Sequence, residues 1–598
     1  MKLLAISLLQ ALFPVIGAQV FIEPGQSVEK TDGWFRTLEE CGMTSCRIRL
    51  FEAYDPELFD RAMDCAQKHN IGVWLTFFPE TEKTDIGGWK FPYDDAQKAS
   101  FADFIRRAVT RWKDHPALRG WVLINEPGIG EIPDTPFARA ARQKWDQEHP
   151  VPEYSANGSP VLMTPADSRF IMDFNTDFLR WIAGEVRALD PVHDLHVNPH
   201  AVYYNFTQYD FPAYREFLTS LGGSAHPSWH FGYFNRDEYT LAMLAQSEIL
   251  RSGAGPMPWF MTEIQGGNNT YSGANAICPT PQEITKWLWT VIGCEGQGGI
   301  FWMLNPRSSG IEAGEWGMID YNDKPTERLL AAGKVAAVLR DRRSVLQSLR
   351  ECPSGIDIVY TRESVWAEKL LSIEGDRYEG RRLGAVAKSV AACFRALTER
   401  GLNVGIKALE EYDFSQPDFG GKTIVLTHQI SISEAEREKL SGFVENGGTI
   451  IVEGLTGYYD DNLVCTLFGG DLSEYILDDK GIWRGRFADG SDFKTKTVGR
   501  GKLVWYPTSI GIEAWSSRDF RKLSAFLWKH STFDRSSVRF RGYRRGMILR
   551  TLDSPEGKVV ISIKDGSRHF FPRLKGIKGR KEVIFKDQNV KVTLYRNA

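Results

Sequence analysis

Short apolar runs alternate with amphipathic stretches over residues 18–341. The runs read as strands at 18–23, 44–50, 71–77, 118–125, 195–198, 223–226, 259–263 and 299–305. Between the early ones, periodic apolar positions predict helices over 29–41, 56–69 and 96–113. About eight strand–helix units of this kind predict parallel βαβ connections and a (β/α)₈ TIM barrel over residues 19–345. A doubly wound open sheet would call for a glycine-rich phosphate turn after an early strand, and the sequence has none. The pattern then restarts. Strands at 356–360, 423–427, 449–453 and 502–506 alternate with helices at 384–400, 433–446 and 518–530, which predicts a smaller flavodoxin-like α/β domain over 352–535. Strands at 559–563, 582–585 and 590–595 predict a small antiparallel β-sandwich over 536–598.

A chain of 598 residues suits several such domains. Its net charge of -3, with no long run of one sign, gives no footprint for nucleic acid or a membrane surface. Eight scattered cysteines form no zinc-ligand spacing. The first 18 residues, one Lys and an apolar stretch ending in Gly17 and Ala18, are expected to be a signal peptide, which implies a periplasmic or secreted protein. No other segment is apolar enough to span a bilayer.

Two apolar strands end on carboxylates. Trp121-Val-Leu-Ile-Asn-Glu-Pro delivers Asn125 and Glu126, and Trp259-Phe-Met-Thr-Glu delivers Glu263. The C-terminal strand ends of a barrel form the floor of its active site. Cleaving a glycosidic bond needs one carboxyl group to protonate the leaving oxygen and another to attack the anomeric carbon, ~5–5.5 Å away when configuration is retained. No cofactor is needed for this chemistry. Asn-Glu on the fourth strand and Glu on the seventh resemble the clan A glycoside hydrolases. Across the whole chain the resemblance is to family 42 β-galactosidases and, more closely, to family 164 β-mannosidases.

That resemblance implies Glu126 as general acid/base, Glu263 as nucleophile and Asn125 as the contact to the sugar 2-hydroxyl. It implies a retaining exo-glycosidase acting on a β-mannoside, with a β-galactosidase or a non-catalytic sugar-binding relative as alternatives. Arg47 and Arg49 share a face of the second strand. One of them is similar to the clan's arginine beside the nucleophile, and the pattern leaves open which. Trp302 resembles the sugar-stacking platform, and His226 stands in for a tyrosine near the nucleophile. Glu312 matches a family 42 glutamate. Glu315 stands where that family has a histidine, a departure that tilts the reading from galactose to mannose. His196, Asn198 and His200 are further pocket candidates. No carboxylate or third histidine accompanies the His pair at ligand spacing, so no metal is expected. The middle domain resembles the trimerisation domain of family 42, which looks like a class I glutamine amidotransferase. Its nucleophile cysteine is absent, and a homotrimer is implied.

Overall fold

The structure, a computed structural model, describes residues 13–79, 90–127, 131–200, 208–466, 471–479, 481–565 and 570–596. Eight parallel strands form the first sheet: β1 Val15–Gln19, β2 Ser45–Phe51, β3 Gly72–Phe78, β4 Leu118–Val122, β5 Asp194–His196, β6 Ser224–Ala225, β7 Met261–Gln265 and β8 Gly298–Trp302. Their order is β5-β4-β3-β2-β1-β8-β7-β6. The seam between β5 and β6 is knitted by the Gly222 N–H to Val197 O at 3.0 Å and the Ser224 N–H to Pro199 O at 3.1 Å, which closes the barrel. Helices cover the strands outside, so each strand is buried on both faces and reads as a nearly continuous apolar run, as in the β3 sequence GVWLTFF. Caps fix where helices start. Thr280 and Glu283 form a reciprocal capping box ahead of Pro281, and Asp55 accepts from the Glu57 N–H ahead of Pro56.

The barrel begins at Val15, three residues before the predicted strand. Residues 15–18 of the expected leader lie within this strand. Gly17 pairs with Ser45, and a Cβ on Gly17 would lie 1.5 Å from the Ser45 carbonyl oxygen. Gly17 is therefore demanded by strand packing. Cleavage after Ala18 would remove four of the five residues of β1. The rest of the expected leader, residues 1–12, lies outside the described residues.

The middle sheet runs in the order Gly405–Ala408, Ile356–Tyr360, Thr423–Leu426, Thr449–Glu453, Gly501–Tyr506, with Lys494–Val498 antiparallel at the edge. Gly405–Ala408 is a strand that the apolar pattern does not announce. The helix predicted over 518–530 runs over Arg521–His530, and a further helix, Ile510–Ser517, precedes it and ends at Arg518 with φ 54°. The C-terminal strands form a five-stranded antiparallel sheet, with Arg350–Glu351 at one edge, plus a two-stranded ribbon. The predicted sandwich is thus one main sheet, and a barrel helix, Pro281–Gly293, packs against it through Trp289 and Phe585. Among the described residues no helix is long and apolar enough to cross a membrane.

A buried ionic junction ties these parts together. The Arg550 guanidinium, wholly buried, meets Glu248 of the barrel and, at 2.8 Å, Glu351 of the linker. Arg251 meets the same two carboxylates at 2.6 and 2.7 Å. Glu295, 3.8 Å from Arg251 and 3.3 Å from Arg350, extends the cluster to three cations and three anions, so removing one leaves an uncompensated buried charge. Arg550→Ala is expected to cost about 3–5 kcal/mol of stability, read as a lower denaturation midpoint, while activity below that midpoint is retained. An unchanged midpoint would contradict the balance.

Candidate active site

Glu263 sits in the middle of β7, paired with Ser224 of β6, rather than at the strand exit. Its side chain is buried and fully committed. The Arg47 guanidinium pairs with Oε1, and His226 Nε2 donates to Oε2 at 3.0 Å. Burial opposes ionisation, but Arg47 and then His226 outweigh it and hold the carboxyl well below the usual range. Glu263 is therefore an anion throughout the range in which proteins work.

Arg47 answers the question the sequence leaves open. Its fork bonds Glu263, Asn125 Oδ1 at 2.6 Å and Thr76 Oγ1 at 2.6 Å. Arg49 lies two residues on, one layer nearer the barrel mouth. Its guanidinium is sandwiched between the Trp302 ring at 4.2 Å and the Phe78 ring at 4.4 Å. Trp302 is 2 % exposed, with Phe21 edge-on against it, so Arg49 already covers one face of the expected sugar platform.

Glu126 lies four residues past β4, where the chain turns with φ +48° ahead of Pro127. That backbone region is costly for a non-glycine residue and is tolerated where the surroundings hold it. Asn198 supplies part of the hold. Its Oδ1 accepts the Glu126 N–H at 3.4 Å, and its amide nitrogen lies 3.2 Å from Asn125 Oδ1, 3.2 Å from Ser224 Oγ and 3.4 Å from Glu263 Oε1. Among the described residues the buried amide nitrogen of Asn125 has no hydrogen-bond partner, a donor available to a ligand hydroxyl. The decisive distance is between the two glutamates. One carboxylate oxygen of Glu126, one of Glu263 and a ring nitrogen of His226 lie within 4.8 Å of one another. That spacing fits the ~5–5.5 Å of a retaining pair and falls short of the ~6.5–9.5 Å of an inverting one.

Two imidazoles line the Glu126 side. His200, His230 and Glu126 each offer an atom within 4.8 Å of the others. Burial, Lys90 and His226 push His200 down to about 3, and burial pushes His230 well below its ordinary value. Both rings are neutral. His230 Nδ1 lies 2.8 Å from Ser224 O and 3.1 Å from the His226 N–H, and its buried Nε2 has no hydrogen-bond partner among the described residues. The tertiary fold thus supplies the carboxylate that the sequence spacing lacks. Glu126, His200 and His230 form a donor set that could take a divalent transition metal. His230 and Lys90 went unrecognised in the sequence. The signal for His230 was its place four residues after His226, spanning a single helical turn, Pro227–His230.

The remaining candidates separate. Glu312 is buried with its pKa raised by burial, against Arg49 and Arg307, and its field reaches Glu263. It belongs to the site. Glu315 does not reach for a ligand. Its carboxylate accepts the N–H groups of Thr270, Tyr271 and Ser272 and the Ser272 hydroxyl. It pins the loop after β7, and the Trp316 that follows it packs edge-on to His226 at 5.4 Å. His196 also drops out: it is wholly buried, bonded to Ser220 and Thr262 and stacked on Phe260 inside the barrel.

No family model matches the chain. A β-galactosidase from Geobacillus sp. is 20% identical over 478 residues, covering 68% of this chain and 65% of the relative, so the chain spans less than two thirds of that relative's length. Among solved structures, a catalytic mutant of a GH42 β-galactosidase from G. stearothermophilus superposes with a TM-score of 0.78 at 14% identity, covering 98% of this chain and 99% of the other. An exo-β-1,4-mannosidase from Opitutaceae bacterium strain TAV5 gives 0.57 at 15% identity, with 86% and 96% covered. At these identities the likeness is one of fold, and in the galactosidase structure it spans 98% of this chain. It runs to family 42, and a nearer kinship to family 164 is not supported.

Proposed function

We propose that the chain is a retaining exo-β-glycosidase that takes terminal β-D-galactosides. One observation carries the chemistry: Glu126 and Glu263 face each other within 4.8 Å, with Glu263 fixed as an anion by Arg47. In the first step Glu126 gives its proton to the leaving oxygen as a Glu263 oxygen attacks the anomeric carbon. The aglycone departs as an alcohol and a glycosyl ester forms on Glu263. In the second step Glu126 takes a proton from water, water attacks the same carbon, and Glu263 leaves as a carboxylate. Two displacements at one carbon retain configuration. Asn125 is placed to bond the sugar 2-hydroxyl, a contact that strengthens as the oxocarbenium-like charge develops.

The stronger likeness to a β-galactosidase than to a mannosidase supports galactose as the glycone. The second reading, a β-mannoside, keeps one observation in its favour: Glu315 is spent on backbone N–H groups where a hydroxyl-binding histidine would stand in the galactosidase pattern. Placed polar groups decide between sugars that differ in hydroxyl configuration, because an unpaired one is costly. A homotrimer formed through the middle domain is part of the same proposal. Chromogenic β-galactoside and β-mannoside offered side by side test the glycone. The galactoside is expected to give at least tenfold higher kcat/KM. The reverse order would move the assignment to mannose, and cleavage of neither would overturn the catalytic reading.

A further inference from the structure

The middle domain lacks the glutaminase cysteine, yet the place where such a sheet keeps its ligands is not filled in. Strand Ile356–Tyr360 pairs with Gly405–Ala408 on one side and Thr423–Leu426 on the other, so the chain reverses direction across the sheet there. In open parallel sheets ligands bind outside the C-terminal strand ends at such a reversal. A cavity of about 340 Å³ lies at that edge. Glu368 reaches it from the helix after the first strand, His428 from the loop after Thr423–Leu426, and Tyr458 and Tyr459 from the loop after Thr449–Glu453. An antiparallel ribbon, Leu472–Leu477 with Trp483–Phe487, adds Tyr475 and Trp483, whose rings lie parallel with centroids 5.7 Å apart.

We propose that this cavity is a second, non-catalytic site that binds a neutral saccharide ring. The lining decides the ligand class. Tyr378, Tyr458, Tyr459, Tyr475 and Trp483 offer flat apolar faces of the kind that pack on the C–H face of a pyranose. Between them lie polar groups suited to hydroxyls: the Ser509 hydroxyl, which bonds both Tyr378 and Tyr475, and the phenols themselves. A phosphate or nucleotide would want cations or a nest of N–H groups. Among the described lining residues the cation is Arg381, paired with Asp376 at 3.0 Å. The acid on the floor, Glu368, accepts the N–H groups of Gly384 and Val386 and is pushed by burial up to about 7, so it brings little negative charge below neutrality. His428 holds φ +54°, a costly backbone state of the sort that collects at ligand sites.

Titration calorimetry with β-1,4-galactobiose and β-1,4-mannobiose, on the full chain carrying Glu263→Gln to prevent turnover, tests the site. Adding Tyr475→Ala and Trp483→Ala is expected to remove one binding site per chain, and Trp483→Tyr, which keeps a ring, to retain it within about threefold. If the double change disturbs folding, seen as a shifted thermal midpoint, Trp483→Ala alone is expected to weaken that site at least tenfold. An unchanged stoichiometry, no saturable binding, or tighter saturation of the same site by adenosine or inorganic phosphate would overturn the proposal. The result is independent of the catalytic reading: a chain that cleaves no glycoside but loses a site with these two rings upholds the saccharide cavity and sinks the hydrolase.

Discussion

Glu263→Gly is expected to lower kcat on the order of 10⁵-fold, about 7 kcal/mol of barrier, because it removes the atom that forms the covalent intermediate. The carboxylate has no understudy. Glu126 faces it across the sugar plane, and Glu312 is held by Arg49 and Arg307 with its own ionisation opposed by burial. The deletion leaves a space beside Arg47 and His226, both of which favour an anion. Added azide is therefore expected to restore turnover in the variant and to give the α-glycosyl azide, since one displacement inverts. In Glu126→Ala, azide should instead attack the intact glycosyl ester and give the β-glycosyl azide. Rescue of both variants with a single anomer would contradict the division of roles between the two glutamates.

The second large effect belongs to a residue that never touches the leaving group. Arg47→Ala is expected to cost about 3–5 kcal/mol of stability and about 10²–10³-fold in kcat/KM, because it strands the Glu263 anion away from water. The sign of the pH effect follows. In the native protein the Glu263 pKa is depressed, so this group stabilises the fold above the unfolded carboxylate value and loses that contribution as pH falls through the folded one. Without Arg47 the burial penalty loses its strongest opponent and the pKa climbs. The acid limb of kcat/KM should then move to higher pH by a unit or more, and stability should stop falling with Glu263 as the medium is acidified. Arg47→Lys keeps a charge but not the fork that also bonds Asn125 and Thr76, so it should restore part of the pH profile and little of the rate. A pH profile identical to the wild type would show that Arg47 does not set the ionisation of the nucleophile.

The glutamates were legible because each follows an apolar run, although Glu263 sits inside β7 and Glu126 four residues beyond β4. What surrounds them was not. Arg47 and Arg49 share a face of β2, and only their depth in the barrel separates the partner of Glu263 from a guanidinium stacked on Trp302. Glu315 looks like a ligand group by position, yet three backbone N–H groups claim it, and no sequence pattern lists the loop that will fold over a side chain. His200 and His230 converge on Glu126 from β5 and β6 across a seam closed by backbone bonds, so their shared place has no spacing to read. At the N-terminus, β1 starts at Val15, three residues before the apolar pattern places it, and Gly17 is small for the sake of strand contact. Strand Gly405–Ala408 was missed because four residues with one Lys carry too little periodicity to stand out from a loop.

The separation of the two carboxylates is the claim on which the rest stands, and the first-formed anomer of the product reads it. Proton NMR of a β-galactoside during the first minutes of cleavage is expected to show the β-sugar appearing before mutarotation brings up the α-form. Early accumulation of the α-anomer would mean that water attacks directly across a wider gap, and the close pairing of Glu126 with Glu263 would not describe the working enzyme.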